Sequence, residues 1–157
     1  MTTPPRSSGH AISRRISRIR AGDDPALLAP VPSGFAIFGK FQPPAVRGAC
    51  MLLADPVVSS PNDLTPDQRA QFWSDLTLLG DAILEATGAE RINYLVLCNQ
   101  VPELHGHAIP RYADEDPDKR LLGPFEAYPF NDGPEADVDG RDAELFQAVK
   151  SALQRRL

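Results

Sequence analysis

Apolar positions along the chain follow two periods. In residues 10–20, Ile12, Ile16 and Ile19 fall at i, i+4 and i+7 among Arg14, Arg15, Arg18 and Arg20. That spacing predicts a short helix with one apolar stripe, ended by Ala21-Gly22. Its arginines read as a solvated face rather than an anion-binding patch. Residues 62–88 predict the longest element. Thr65 can cap it, Pro66 suits its first position, and Gln68 stands where a capping box needs an amide or acid. Phe72, Leu76, Leu79 and Ile83 form its stripe, Trp73 adjoins the stripe as a core residue in preference to a dimer contact, and Gly88 is placed to end it. Such a helix is about 33 Å long, enough to cross a whole sheet. A third helix follows from Leu145, Val149 and Leu153 in residues 142–157.

Short apolar runs bounded by Gly and Pro predict strands. Residues 34–39 (GFAIFG), 48–54 (GACMLLA) and 91–97 (RINYLVL) have this form. Residues 23–33, with three prolines, read as a connection or an edge strand around Leu27-Leu28-Ala29. Residues 40–47 turn the chain, 99–102 connect two strands, and 113–120 form an acidic loop. Residues 121–133 carry Phe125, Tyr128 and Phe130 in an arm punctuated by Pro and Gly. Residues 1–9 read as a disordered tail. Strand runs around one long helix indicate an α+β fold.

Composition narrows the function classes. A chain of 157 residues with 42% hydrophobic and 24% charged residues can bury a real core. Its net charge of −5 argues against a general nucleic-acid binder. No apolar run is long enough to span a membrane, and residues 1–9 show no hydrophobic signal region. Cys50 and Cys98 have no metal-type or disulfide spacing, so both are expected reduced in a cytoplasmic protein, Cys98 as a buried small apolar residue.

The chemistry concentrates in residues 102–111, PELHGHAIPR, which hold two of the three histidines. On a strand, side chains alternate faces. Glu103, His105, His107, Ile109 and Arg111 would therefore share one face, while Leu104, Gly106, Ala108 and Pro110 share the other. Gly106 and Ala108 make that second face small enough for another element to pack closely on it.

This run, with Asn99-Gln100-Val101-Pro102 before it, resembles the histidine-triad (HIT) nucleotide-binding superfamily, whose signature is His-x-His-x-His followed by two apolar positions and often Pro-Arg. The resemblance extends over residues 20–120 and matches the branch with a short connection before the histidines. It implies an antiparallel sheet of about five strands with the long helix packed across it, plus N- and C-terminal helices. Residues 10–123 would form the HIT-like domain, with the arm and helix of 124–157 packed on it. It further implies a homodimer and a nucleotide substrate, with hydrolysis or transfer at the α-phosphate through a nucleotidyl-histidine intermediate and no metal or other cofactor. By position, His105 matches the nucleophile, His107 the phosphate-contacting third histidine, and Asn99 and Gln100 the upstream phosphate contacts.

Several positions depart from the pattern. Glu103 replaces the first histidine, where a carboxylate could orient a neighbour or protonate a leaving group. Lys40 lies where an acid for the ribose hydroxyls is common, Ala49 follows Gly48 where a Gly-His pair is common, and Cys98 stands where glycine is common. Phe38 and Gln42 are expected nucleoside contacts, with Phe35 and Ile37 as further wall residues, ordinary core packing being the alternative for at least half of Phe35, Ile37 and Phe38, and Arg111 is a phosphate contact or a structural ion pair. Alternatives are a catalytically silent nucleotide-binding protein, a metal site built on Glu103, His105 and His107, and a pure interaction module.

Overall fold

The computed structural model describes residues 10–157; the tail expected at 1–9 lies outside them. The elements run α1 (Ala11–Arg20), β1 (Leu27–Val31), β2 (Gly34–Phe38), β3 (Cys50–Ala54), α2 (Pro66–Thr87), β4 (Arg91–Leu95), β5 (His105–Arg111), a short α3 (Pro124–Ala127) and α4 (Ala143–Arg156). Strands β1–β5 form one sheet in the order β1-β2-β3-β5-β4, and every neighbouring pair is antiparallel. This is the α+β architecture that the apolar periods indicate, with the proline-bearing segment at β1 forming an edge strand.

The long helix begins and ends as its sequence dictates. The Thr65 hydroxyl accepts from the Gln68 amide, and the Gln68 side chain accepts from the Thr65 amide, closing the capping box. At the other end Gly88 takes φ +68°, and its N–H donates to the Leu84 carbonyl. Phe72, Leu76, Leu79 and Ile83 are all buried on one face of the sheet. There they join Phe38, Leu52 and Leu104 from the strands and Phe146, Val149 and Leu153 from α4. Trp73 is not core: it stands 41% exposed on the flank of α2. The four-three-four stripe leaves the next position along at the edge of the contact, where a large ring can reach solvent.

The opposite face of the sheet is covered in two pieces. At one end the Ile12, Ile16 and Ile19 stripe of α1 packs on Ile37 and Leu53. At the other, Ala127 and Tyr128 of the C-terminal arm pack on Val46, Ala49 and Ile109. The arm is clipped to the segment after β2 by a β-bridge between Phe41 and Glu135 and by hydrogen bonds from the Gln42 and Ala136 amides. Between the two covers the sheet face stays open.

Two strand limits differ from expectation. β4 ends at Leu95 rather than at residue 97, and β5 starts at His105 rather than at Glu103. Beyond Leu95 the chain leaves the ladder and then turns at Cys98, which takes φ +53°, a left-handed conformation.

Candidate active site on the histidine strand

Strand β5 lies between β3 and β4, with His105 opposite Leu53 and His107 opposite Met51 on β3. The small face of the strand has the use expected of it. A Cβ on Gly106 would lie 2.9 Å from the end of Leu76 on α2, and Ala108 is fully buried in the same core. Helix α2 presses on that side, so both imidazoles stand on the open face. There they line a cavity of about 840 Å³. Its walls are Ala11, Ile12 and Arg15 of α1, Met51 and Leu53 of β3, the 97–101 connection, and Phe125, Tyr128 and Phe130 of the arm.

His105 is held in a defined state. Its Nδ1 lies 2.7 Å from the carbonyl oxygen of Glu103. A carbonyl can only accept, so Nδ1 carries a proton, and in the neutral ring the lone pair lies on Nε2. The Cys98 thiol lies 3.8 Å from Nδ1 and donates to the His105 carbonyl at 3.5 Å. Cys98, expected as a buried small apolar residue, is thus only half-buried beside the site, while Cys50 is the buried cysteine.

The His107 ring meets His105 edge-to-face with centroids 5.2 Å apart, and meets Phe125 in the same way at 4.9 Å. Phe125 in turn stacks edge-to-face on Phe130 at 4.9 Å. Burial, reinforced by the neighbouring His105, lowers the His107 pKa from the ordinary 6.5 to about 4. It is therefore neutral at pH 7. Asn99 and Gln100 lie exposed on the cavity rim, delivered there by the sharp turn at Cys98. The structure accordingly brings His105, His107, Asn99 and Gln100 to one cavity.

Other expected site residues sit elsewhere. Phe38 faces the α2–α4 side, fully buried and edge-to-face with Phe146, so it lines no part of the cavity. Gln42 is a turn staple: its side chain donates to the Gly39 and Ala49 carbonyls and accepts from the Gly48 amide. Ile37 lies under α1, away from the opening. Arg111 is the structural ion pair, bound to Glu115, Asn93 and the Leu122 and Lys119 carbonyls.

Glu103 precedes the strand, and its carboxylate turns away to α1, where it accepts from the Ile12 and Ser13 amides and from the Ser13 hydroxyl. It therefore does not stand in a row with the two imidazoles. Among the described residues, no three His, Cys, Asp or Glu side chains gather as metal ligands.

Four further residues line the cavity that sequence reasoning did not place in the site as contributors. Arg15, read as solvated, pairs with Asp24 and lines the cavity. Lys40 lines it too, bringing a second cation. Phe125 and Phe130 close it over His107, and their spacing in the arm was the only signal for them.

No family model and no curated protein matches the chain. Solved structures do. A histidine triad (HIT) protein from Sinorhizobium meliloti shares 22% identity over 88% of this chain and 94% of its own, with a TM-score of 0.64. A histidine triad protein from Marinobacter aquaeolei shares 16% over 90% and 94%, with a TM-score of 0.66. The chain has the histidine-triad fold. A third structure with this fold, at 15% identity over 89% and 91% and a TM-score of 0.66, is described as a hypothetical histidine triad nucleotide-binding protein from Sulfolobus tokodaii. In the frame of the HIT fold, the buried face of β5 belongs to α2 and the open face to whatever enters the cavity.

Proposed function

We propose that this protein is a HIT-type hydrolase or nucleotidyl transferase acting at the α-phosphate of a nucleoside phosphoramidate or dinucleoside polyphosphate. The carrying observation is the Nδ1 contact of His105 with the Glu103 carbonyl at 2.7 Å, which leaves Nε2 as the free nucleophile on a cavity wall. In this reading Nε2 attacks the α-phosphorus, the bond to the leaving group breaks, and the leaving group departs with a proton or as an anion. Water then attacks the same phosphorus, breaking the P–N bond to release a nucleoside monophosphate and restore His105. Neutral His107 contacts a phosphoryl oxygen as a donor, while Asn99 and Gln100 donate amide N–H groups to the charge that develops there. Arg15 and Lys40 on the walls, paired with Asp24 and Glu135, supply cationic donors beside the substrate phosphates.

The protein works as a cytoplasmic homodimer in this reading. β4 is an unpaired sheet edge, and Tyr94, Leu97 and Trp73 stand exposed at or near it.

The decisive test is release of nucleoside monophosphate from adenosine and guanosine phosphoramidates and dinucleoside polyphosphates, with wild type beside His105→Ala. Release that vanishes in the mutant supports the nucleophile. Equal release from both removes it, and no release with retained nucleotide binding replaces the enzyme with a silent binding protein.

A further inference from the structure

Helix α1 starts without a cap of its own. His10 at its N-cap makes no side-chain capping bond, and its first turn holds no acid. The leading amides of a helix lack partners within it and carry partial positive charge. Here Glu103, 90 and 91 positions further along the chain, fills that place. One carboxylate oxygen accepts from the Ile12 amide at 3.1 Å and the Ser13 amide at 3.2 Å, and the other accepts from the Ser13 hydroxyl. Burial alone would raise the Glu103 pKa, but the Ser13 hydroxyl and the two amides hold it below the usual carboxylate value. The group is therefore an anion whose lone pairs are engaged, and a poor proton donor.

The main chain of the same residue faces the other way. Its carbonyl takes the Nδ1 proton of His105. Immediately after it, Leu104 donates from its amide to the Val58 carbonyl at 2.7 Å and accepts from the Ala54 amide at 3.1 Å, which fixes the Leu104 side of that peptide and leaves the Glu103 side to the contacts of its own side chain. One residue thus joins the seat of α1 at its side chain to the tautomer of the nucleophile at its carbonyl.

We propose that Glu103 is a positioning residue, not an acid catalyst: by anchoring the N-terminus of α1 it holds the carbonyl that keeps His105 protonated on Nδ1 and bare on Nε2. The proposal rests on His105 being the nucleophile, and it gives α1, itself a cavity wall, a direct link to that nucleophile.

The test compares wild type, Glu103→Gln, Glu103→Ala and Ser13→Ala in two readouts. Nitrogen-15 spectra of the imidazoles report the His105 tautomer without any substrate. Turnover is measured on two nucleotide conjugates: an aryl ester, whose leaving group departs as an anion, and an alkyl phosphoramidate, whose amine needs a proton. Glu103→Gln keeps an acceptor for the α1 amides, so the Nδ1–H tautomer persists and turnover stays within about 3-fold on both substrates, a loss in the range of one weakened hydrogen bond. Glu103→Ala mixes the tautomers and slows both substrates equally, by about 100-fold, as expected of a misplaced reacting group. Ser13→Ala shifts both readouts in the same direction by less, and it carries the test if Glu103→Ala does not fold.

Loss confined to the phosphoramidate, equal in Glu103→Gln and Glu103→Ala, would make Glu103 a general acid and overturn the proposal. An unchanged tautomer in Glu103→Ala, or in Ser13→Ala where that variant carries the test, overturns it as well. If no variant or wild type turns over any conjugate, the nucleotide reading falls while the spectra still decide the positioning role.

Discussion

At the scale of single residues, environment rather than identity sets what each imidazole does. His105 and His107 are two positions apart on one strand, yet only His105 has its Nδ1 tied to a carbonyl. His107 instead sits among His105, Phe125 and the sheet, and burial there depresses its pKa to about 4. The consequence for stability has a definite sign. Between about pH 6.5 and about pH 4 the unfolded chain binds a proton at this position that the folded chain does not. Stability therefore falls as the pH is lowered through that window. The carboxylates held low, Glu103 and Glu115, lose their contribution further down, through their own depressed values. The urea midpoint of the wild type is expected to drop between about pH 7 and about pH 5, and that drop should flatten in His107→Asn. An equally steep slope in the variant would remove His107 as its source.

At the scale of elements, the cavity depends on a segment with little regular structure. The loop and arm after β5 are fastened to it through Arg111. Its guanidinium reaches Glu115, Asn93 and the carbonyls of Lys119 and Leu122, and Tyr128 donates to the same Glu115 carboxylate at 2.6 Å. Arg111 and Glu115 are both buried, so removing one leaves the other charged in a poor solvent. Arg111→Ala is expected to cost about 3–5 kcal/mol. Because Tyr128 and Phe125 follow from that anchor, it should also raise amide exchange across residues 113–130 before α2 is affected. Hydrogen exchange checks this directly. Protection lost uniformly over the whole chain would show that the arm is not a separable unit.

At the scale of the whole molecule, the sheet is protected unequally at its two edges. β1 carries Pro30, while β4 has no proline and, among the described residues, no strand on its outer side, and its Tyr94 side chain lies against Gly80 of α2. Trp73 lies seven residues before Gly80, two helical turns along the same flank. A second copy pairing at β4 would bury these rings and extend the sheet. Sedimentation of the wild type is expected to show a dimer, and Trp73→Glu together with Leu97→Glu should shift it to monomer. A wild type that stays monomeric across concentration would assign the exposed rings to another use.

Local patterns were enough for much of this protein. The capping box at Thr65 and Gln68, the stripes of α1 and α2, and the small back of β5 at Gly106 and Ala108 each depend on residues a few positions apart, where helix and strand periods act directly. The histidine strand was legible for the same reason, whereas Asn99 and Gln100, which line the same cavity, were expected only from the resemblance to the histidine-triad pattern. What local patterns could not reach were contacts closed across the chain. Glu103 was read into the histidine row, because a strand period cannot show that the strand begins two residues later and that a helix ninety residues earlier needs an anion. Phe38, Gln42 and Trp73 were each misplaced because the choice between core, turn staple and open flank is made by which element packs on which face. The arm over His107 likewise depends on contacts closed inside the fold, Arg111 with Glu115 and the Phe41–Glu135 bridge among them. Sequence alone determined the main helices and strands and the place of the histidine strand among them. Only the tertiary structure decided which groups surround it, because burial and long-range hydrogen bonding depend on the packed chain.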